Sequence, residues 1–284
     1  MRNRLIIGVV LALAAIAFTY FSAEEQNVPI TGREQRVAMS DEQQEQLGAQ
    51  VYDQTLAEEQ QKIVTSGAQY EMVRRVSERI ARVGAVDKPE FDWEFTLLEN
   101  PDANAFCLPG GKIVVFTGLL DVAETDDELA TVVGHEVAHA VAEHGAERIF
   151  REELTNRAVI AASGAFADDP VRFQQVAALL GAGAQIGVRL PWNREQESEA
   201  DHIGVIYAAR AGYDPMAAIT FWQKMDRASK GQRPPEYLST HPSGETRVKQ
   251  LRAWMPEAQR ERRQRDRVEG EVDEAPASDT EEIE

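Results

Sequence analysis

The run His135-Glu136-Val137-Ala138-His139 holds the residues whose types and spacing could do chemistry. On a helix the two histidines fall one turn apart on one face, so both imidazoles can reach a single metal ion. Glu136 stands beside them, where a carboxylate can take a proton from a metal-bound water. The pattern predicts a zinc peptidase site. The alternative for the pentapeptide is a long amphipathic helix with two surface histidines, a minority reading that the flanking chain further weakens.

Thr125 is placed as an N-cap with Glu128 as its capping-box partner, and Asp126, Asp127 and Glu128 make an acidic first turn. Leu129, Val132, Val133, Val137 and Val141 then recur at helical spacing. The helix is read through to Phe150. On it His144, nine residues after His135, projects to the opposite side as a solvated histidine and not a ligand.

The whole chain sets the bounds. Its 284 residues suffice for one medium catalytic domain with flanking segments. A net charge of −18 repels phosphate and excludes a nucleic-acid surface. Much of that charge sits at the end, where Glu269 to Glu284 carries eight acidic residues and no Lys or Arg. The single Cys107 excludes an internal disulfide and a cysteine-rich metal cluster, and it reads as a buried apolar thiol.

Arg2 and Arg4 precede the apolar run Leu5 to Phe21, which is followed by Glu24 and Glu25. As a helix that run measures about 25 Å, marginally enough to cross a bilayer core. The charge asymmetry puts the N-terminus in the cytosol and the remaining chain outside it. A membrane anchor is favoured over a cleaved signal peptide, because a cut after Ala23 leaves Phe21 where a small residue is expected. Residues 24–39 read as a linker. A polar helix opens at Ser40, with Leu47, Val51 and Leu56 as its apolar members, and a second helix carries Tyr70, Val73, Val76, Ile80 and Val83. Phe91 to Leu97 alternates as a half-buried strand, and Lys112 to Thr117 is a second strand after the Pro109-Gly110-Gly111 turn. Ala158 to Leu190 suggests a helical hairpin packed through small residues. Further helices are expected over 194–209, from Pro215 to about Arg227, and from Glu245 to Trp254. Beyond Pro256 the composition indicates disorder or a charged, frayed helix.

Several segments stand in a fixed order: Asn104-Ala105-Phe106, Pro109-Gly110-Gly111, His135 to His139, Glu197-Ser198-Glu199-Ala200-Asp201, and His241-Pro242. Together they resemble the M48 family of zinc metallopeptidases, from about Asp41 to Trp254. The likeness is to the compact periplasmic and Oma-type members. The chain lacks the multiple spans of the CAAX prenyl peptidase branch, and the TPR array and lipoprotein cysteine of other relatives.

The resemblance implies one Zn2+ per chain, held by His135, His139 and Glu197, with Asp201 one turn on orienting a ligating histidine. Glu195 and Glu199 then point elsewhere, although Glu199 is a substitute ligand if the register slips. Glu136 is the implied general base, and Asn104 the residue that holds substrate backbone. His241 is implied either as an oxyanion donor or, as in some periplasmic relatives, as a fourth ligand that keeps the enzyme latent. Arg247 supports His241 or pairs with a carboxylate, and His202 is packed or solvated.

The expected fold is α+β: a mostly helical zincin-like metallopeptidase domain with a small β-sheet whose edge strand borders the cleft, preceded by one N-terminal transmembrane or signal helix. The expected divisions are 1–23 anchor or signal, 24–39 linker, 40–256 peptidase domain and 257–284 charged tail. The implied substrates are unfolded or misassembled polypeptides on the extracytoplasmic side of a membrane. A chaperone-like client-binding protein with a latent zinc site is the competing expectation.

Overall fold

The computed structural model describes residues 10, 13–14, 16–163, 169–171, 173–175, 178, 190–229, 235, 237–241 and 244–273. Elements in chain order are β1 (Glu24–Asn27), β2 (Glu34–Val37), α1 (Asp41–Glu58), β3 (Ile63–Val64), α2 (Ala68–Asp87), β4 (Glu94–Leu98), β5 (Ala105–Leu108) and β6 (Lys112–Phe116). A short 3₁₀ turn, Thr117–Asp121, leads into α3 (Asp126–Val141), α4 (His144–Ser163), α5 (Leu190–Arg210), α6 (Ala217–Ser229), α7 (Tyr237–Thr240) and α8 (Glu245–Asp273). The α+β class expected from the sequence is the one observed.

Helix α3 is the axis of the molecule. It is rich in Ala and Val, and every residue from Glu128 to Ala138 is buried. A helix apolar on all sides must be enclosed. Helices α2, α5 and α6 and the sheet do this, and each fully buried Val or Leu contributes roughly 1.5–3 kcal/mol. The α3–α5 crossing is close because it has no side chains: a Cβ on Gly204 would stand 2.8 Å from the His135 nitrogen, and one on Gly134 2.8 Å from the Gly204 carbonyl oxygen. That contact lets short carboxylates on α5 reach imidazoles on α3. Thr125 caps α3 as expected, its hydroxyl accepting from the Glu128 amide at 3.2 Å. The Glu128 carboxylate instead accepts from the Glu124 amide at 3.0 Å, one residue short of a reciprocal box.

The four-stranded sheet runs β3-β4-β6-β5. Strands β4 and β6 are parallel, and the outer pairs are antiparallel. Strand β5 therefore forms an edge.

Three elements differ from expectation. Residues 24–39, read as a linker, hold an antiparallel hairpin in which Glu24 faces Val37 and Asn27 faces Glu34. Val28 and Val37 are its buried apolar members, and most of its other inward contacts are side-chain hydrogen bonds, which leave no alternating pattern. Helix α1 buries Gln44, Gly48 and Tyr52, not Leu47 and Val51. The reason is a backbone approach: a Cβ on Gly48 would lie 1.7 Å from the Pro109 carbonyl oxygen. Helix α8 runs through Pro256 to Asp273, although an interior proline forfeits a hydrogen bond and costs about 3 kcal/mol. Buried Leu251, Met255 and Ala258, and ion pairs from Arg210 to Glu261 at 2.8 Å and Arg262 to Asp214 at 3.4 Å, offset that cost.

Among the described residues no helix is long and apolar enough to cross a membrane. The expected span, Leu5 to Phe21, lies largely outside them, though residues 16–22 are helical. The expected helical hairpin over 158–190 and residues 274–284 of the tail also fall mostly or wholly outside.

Candidate active site

One turn of α3 brings His135 and His139 together, with their Nε2 atoms 3.0 Å apart. Glu197, on the facing turn of α5, places Oε2 3.5 Å from His135 Nε2 and Oε1 3.3 Å from His139 Nε2. Metal–ligand bonds of about 2.0–2.1 Å in a tetrahedron set neighbouring donors about 3.3–3.4 Å apart. The donor set fits a zinc-sized divalent ion. Two imidazole nitrogens at 3.0 Å beside a carboxylate otherwise have only shared protons to relieve lone-pair repulsion.

His241 completes the cluster. Its Nδ1 lies 3.1 Å from His135 Nε2 and 2.9 Å from Glu197 Oε2. One donor atom from each of His135, His139, Glu197 and His241 lies within 4.8 Å of all the others. Its loop is held by the single turn of α7, whose Tyr237 amide donates to the Ala103 carbonyl at 3.0 Å. Of the expected His241-Pro242 pair, Pro242 lies outside the described residues.

Each α3 histidine has its own support. His135 Nδ1 lies 3.0 Å from Asp201 Oδ1, and Asp201 pairs with Arg247 at 2.5 Å. Arg247 also reaches Glu197 at 3.4 Å, and its guanidinium lies 3.4 Å from the Trp222 ring centroid. Burial would depress the His135 pKa, but hydrogen bonds to Asp201 and Glu197 outweigh it and raise it to about 9. Burial would likewise raise Glu197 and Asp201. Hydrogen bonds from His135, His139 and His241 hold Glu197 far below the carboxylate range, and Arg247 and His135 depress Asp201. A field that holds a proton on His135 favours a divalent cation in the same place.

His139 Nδ1 lies 2.7 Å from Nδ1 of His144. The expectation of a solvated His144 is therefore corrected: it is 1% exposed. Helix α3 ends at Val141, and Glu143 takes φ +52°, so His144 starts a new helix turned back toward the site. Glu199 stands outside the donor cluster, as expected with Glu197 facing in, and turns to His144 instead of solvent. It contacts His144 Nε2 at 3.1 Å, Arg33 at 2.7 Å and the Thr31 hydroxyl at 2.5 Å. Burial would raise its pKa, but these three donors lower it to about 2.

Glu136 is buried, and its Oε1 accepts from the Tyr237 hydroxyl at 2.7 Å. Sequence reading missed Tyr237; its one signal is a position four residues before His241. The ring stacks on His241 at 4.4 Å between centroids. Burial, then the charge of Glu136, push its pKa well above the usual tyrosine value. A cleft of about 550 Å³ opens on these groups, with Asn104, Ala105, Phe106 and Cys107 along one wall. Asn104 turns its side-chain oxygen to the Ala105 amide at 3.0 Å, at the head of β5. Cys107, expected to be buried, is half-buried on the cleft wall, and desolvation there raises its pKa well above the usual thiol value. His202 stands apart, stacked on Trp254 and 2.8 Å from Glu257.

The sequence matches the model of peptidase family M48 over residues 68–255. Mitochondrial metalloendopeptidase OMA1 of Schizosaccharomyces pombe is 34% identical over 251 residues, covering 87% of this chain and 72% of that protein. The Arabidopsis thaliana protein of the same name is 45% identical over 160 residues, 56% of this chain and 31% of the relative. The beta-barrel assembly-enhancing protease of Escherichia coli K12 is 34% identical over 167 residues, 56% of this chain and 34% of its own length. The chain thus spans less than half of several of its longer relatives. It belongs to peptidase family M48 and is a metalloendopeptidase of that family.

Proposed function

We propose that the chain binds one zinc ion through His135, His139 and Glu197 and hydrolyses peptide bonds with Glu136 as proton carrier. The observation that carries this reading is the triangle of donors at 3.0, 3.3 and 3.5 Å. Zinc, when bound, supplies Lewis acidity and makes an attacking water more acidic.

The chain's own residues do the rest. With Tyr237 donating to one oxygen, Glu136 keeps the other to accept a proton from water and pass it to the leaving amine. An extended substrate adds to the open edge of β5, where Asn104 fixes its backbone beside the cleft. His241 is the donor available to a developing oxyanion.

A second reading is supported by His241 Nδ1, which occupies the fourth corner of the cluster. In this form the enzyme is latent, binding clients until His241 withdraws. Unfolded or misassembled polypeptides are the proposed clients, because a shallow edge-strand site recognises backbone more than side chains. The apolar N-terminal run is proposed as an anchor holding the domain on the extracytoplasmic face of a membrane. Leu13, Phe18 and Phe21, at 60–77% exposure, support this placement.

The test is caseinolysis and zinc content of the full chain against Glu136→Gln, with and without chelator. Loss of cleavage by about 10²–10⁴-fold at unchanged zinc is expected. Equal activity, with both proteins protecting clients from aggregation, would transfer the assignment to client binding.

A further inference from the structure

A chain of polar groups, buried at His144 and Glu199 and partly exposed at Arg33, runs from His139 away from the cleft to the N-terminal hairpin. It comprises His139 Nδ1 to His144 Nδ1 at 2.7 Å, His144 Nε2 to Glu199 Oε2 at 3.1 Å, and Glu199 to Arg33 Nε at 2.7 Å. The Arg33 fork continues to both oxygens of Glu147 at 3.0 and 2.9 Å. His144 and Glu199 are 1% and 8% exposed. A buried imidazole between another imidazole and a carboxylate is costly unless each nitrogen has a defined role.

We infer that His144 is a positioning residue: it fixes the ring rotation and tautomer of His139, and is itself fixed by Glu199 and the Thr31–Arg33 hairpin turn. This rests on the zinc reading above. If His139 gives its Nε2 lone pair to the ion, its proton must sit on Nδ1, which then donates to His144 Nδ1. His144 Nδ1 is thereby the acceptor, and the remaining proton sits on Nε2, facing the Glu199 carboxylate. Every donor meets an acceptor, and the orientation is propagated through two neutral rings to the Glu199 carboxylate, which Arg33 pairs in turn. Three features hold His144 for this task. Glu143 takes φ +52° and turns the chain. The Glu143 carboxylate accepts from Gln26 at 2.8 Å and Gln44 at 2.6 Å, and pairs with Lys88. The Gln196 amide donates to the His144 carbonyl at 3.1 Å.

The test uses the full-length chain loaded with zinc and measures zinc release into excess chromogenic chelator, with thermal unfolding of the metal-free proteins alongside. His144→Ala leaves His139 Nδ1–H without its acceptor and is expected to release zinc about 10–100-fold faster. His144→Asn places a side-chain oxygen near the lost Nδ1 and is expected to recover most of that loss. The two variants should unfold at similar temperatures without metal, which separates positioning from packing. Glu199→Gln keeps the volume and loses the charge that sets the His144 tautomer, so several-fold faster release is expected even if His144→Ala does not fold. Release at the wild-type rate in Glu199→Gln, or in a folded His144→Ala, would overturn the inference. Absence of stoichiometric zinc in the wild-type chain would instead overturn the metal site on which it rests.

Discussion

His135 and His139 sit one turn apart on one helix, yet they are held from opposite sides by unlike means. His135 leans on Asp201, which is locked to the buried Arg247, so its support is a buried ion pair. His139 leans on His144, whose support passes through Glu199 to Arg33, with 28% of that arginine side chain exposed. The first arm ties α3 to α5 and α8. The second ties the same helix to a short hairpin near the N-terminus. A buried pair fixes geometry at the risk of a large loss when half of it is removed, whereas a partly solvated relay tolerates change because water can substitute.

Three substitutions probe the contrast. Asp201→Ala removes the nearest carboxylate from the buried Arg247 guanidinium, leaving Glu197 at 3.4 Å and the Trp222 ring, so the metal-free protein should lose about 3–5 kcal/mol in urea unfolding. A loss under about 1 kcal/mol would show the two arms to be alike. The second uses acid. Glu199 is held at about 2, below the roughly 4.3 of an unfolded glutamate, so its contribution is present above that higher value. It is lost as pH falls toward 2. Wild type should therefore destabilise more steeply between about pH 4.3 and 2 than Glu199→Gln, followed by circular dichroism. Parallel acid curves would remove Glu199 from the relay's energetics. The smallest effect is expected for Arg33→Met. Glu147 retains Arg151 at 3.0 Å and Glu199 retains Thr31 and His144, so about 1 kcal/mol or less should be lost at the same urea midpoint. A loss as large as that of Asp201→Ala would mean the hairpin is as structural as the core pair.

Helical spacing makes part of the site legible in the sequence, while Glu197 as a ligand, His241 and Asn104 are reached only through the family resemblance. His135, Glu136 and His139 share one turn, and Glu197 with Asp201 shares another, so each pair's relative placement follows from 3.6 residues per turn. What escaped depends on departures from regular spacing. His144 was placed on the wrong side because nothing marks Glu143 as a non-glycine residue with positive φ. Tyr237 reads as one more aromatic until α7 sets it over His241. Arg247 was a candidate partner for a carboxylate, and Asp201 proved to be that carboxylate. The hairpin escaped because Glu24-Glu25-Gln26-Asn27 carries no apolar alternation; its contacts lie more than a hundred residues away, on Glu143, Glu147 and Glu199.

Those separations have a consequence for biosynthesis. The ribosome releases Arg33 first, but its acceptors Glu147 and Glu199 follow 114 and 166 residues later. At about 5–20 residues per second the hairpin waits on the order of ten to thirty seconds for its second anchor. Arg247, which steadies His135 through Asp201, emerges later still. A nascent chain is thus unable to hold its histidines in register, and hydrolytic competence arises only once synthesis has passed Arg247.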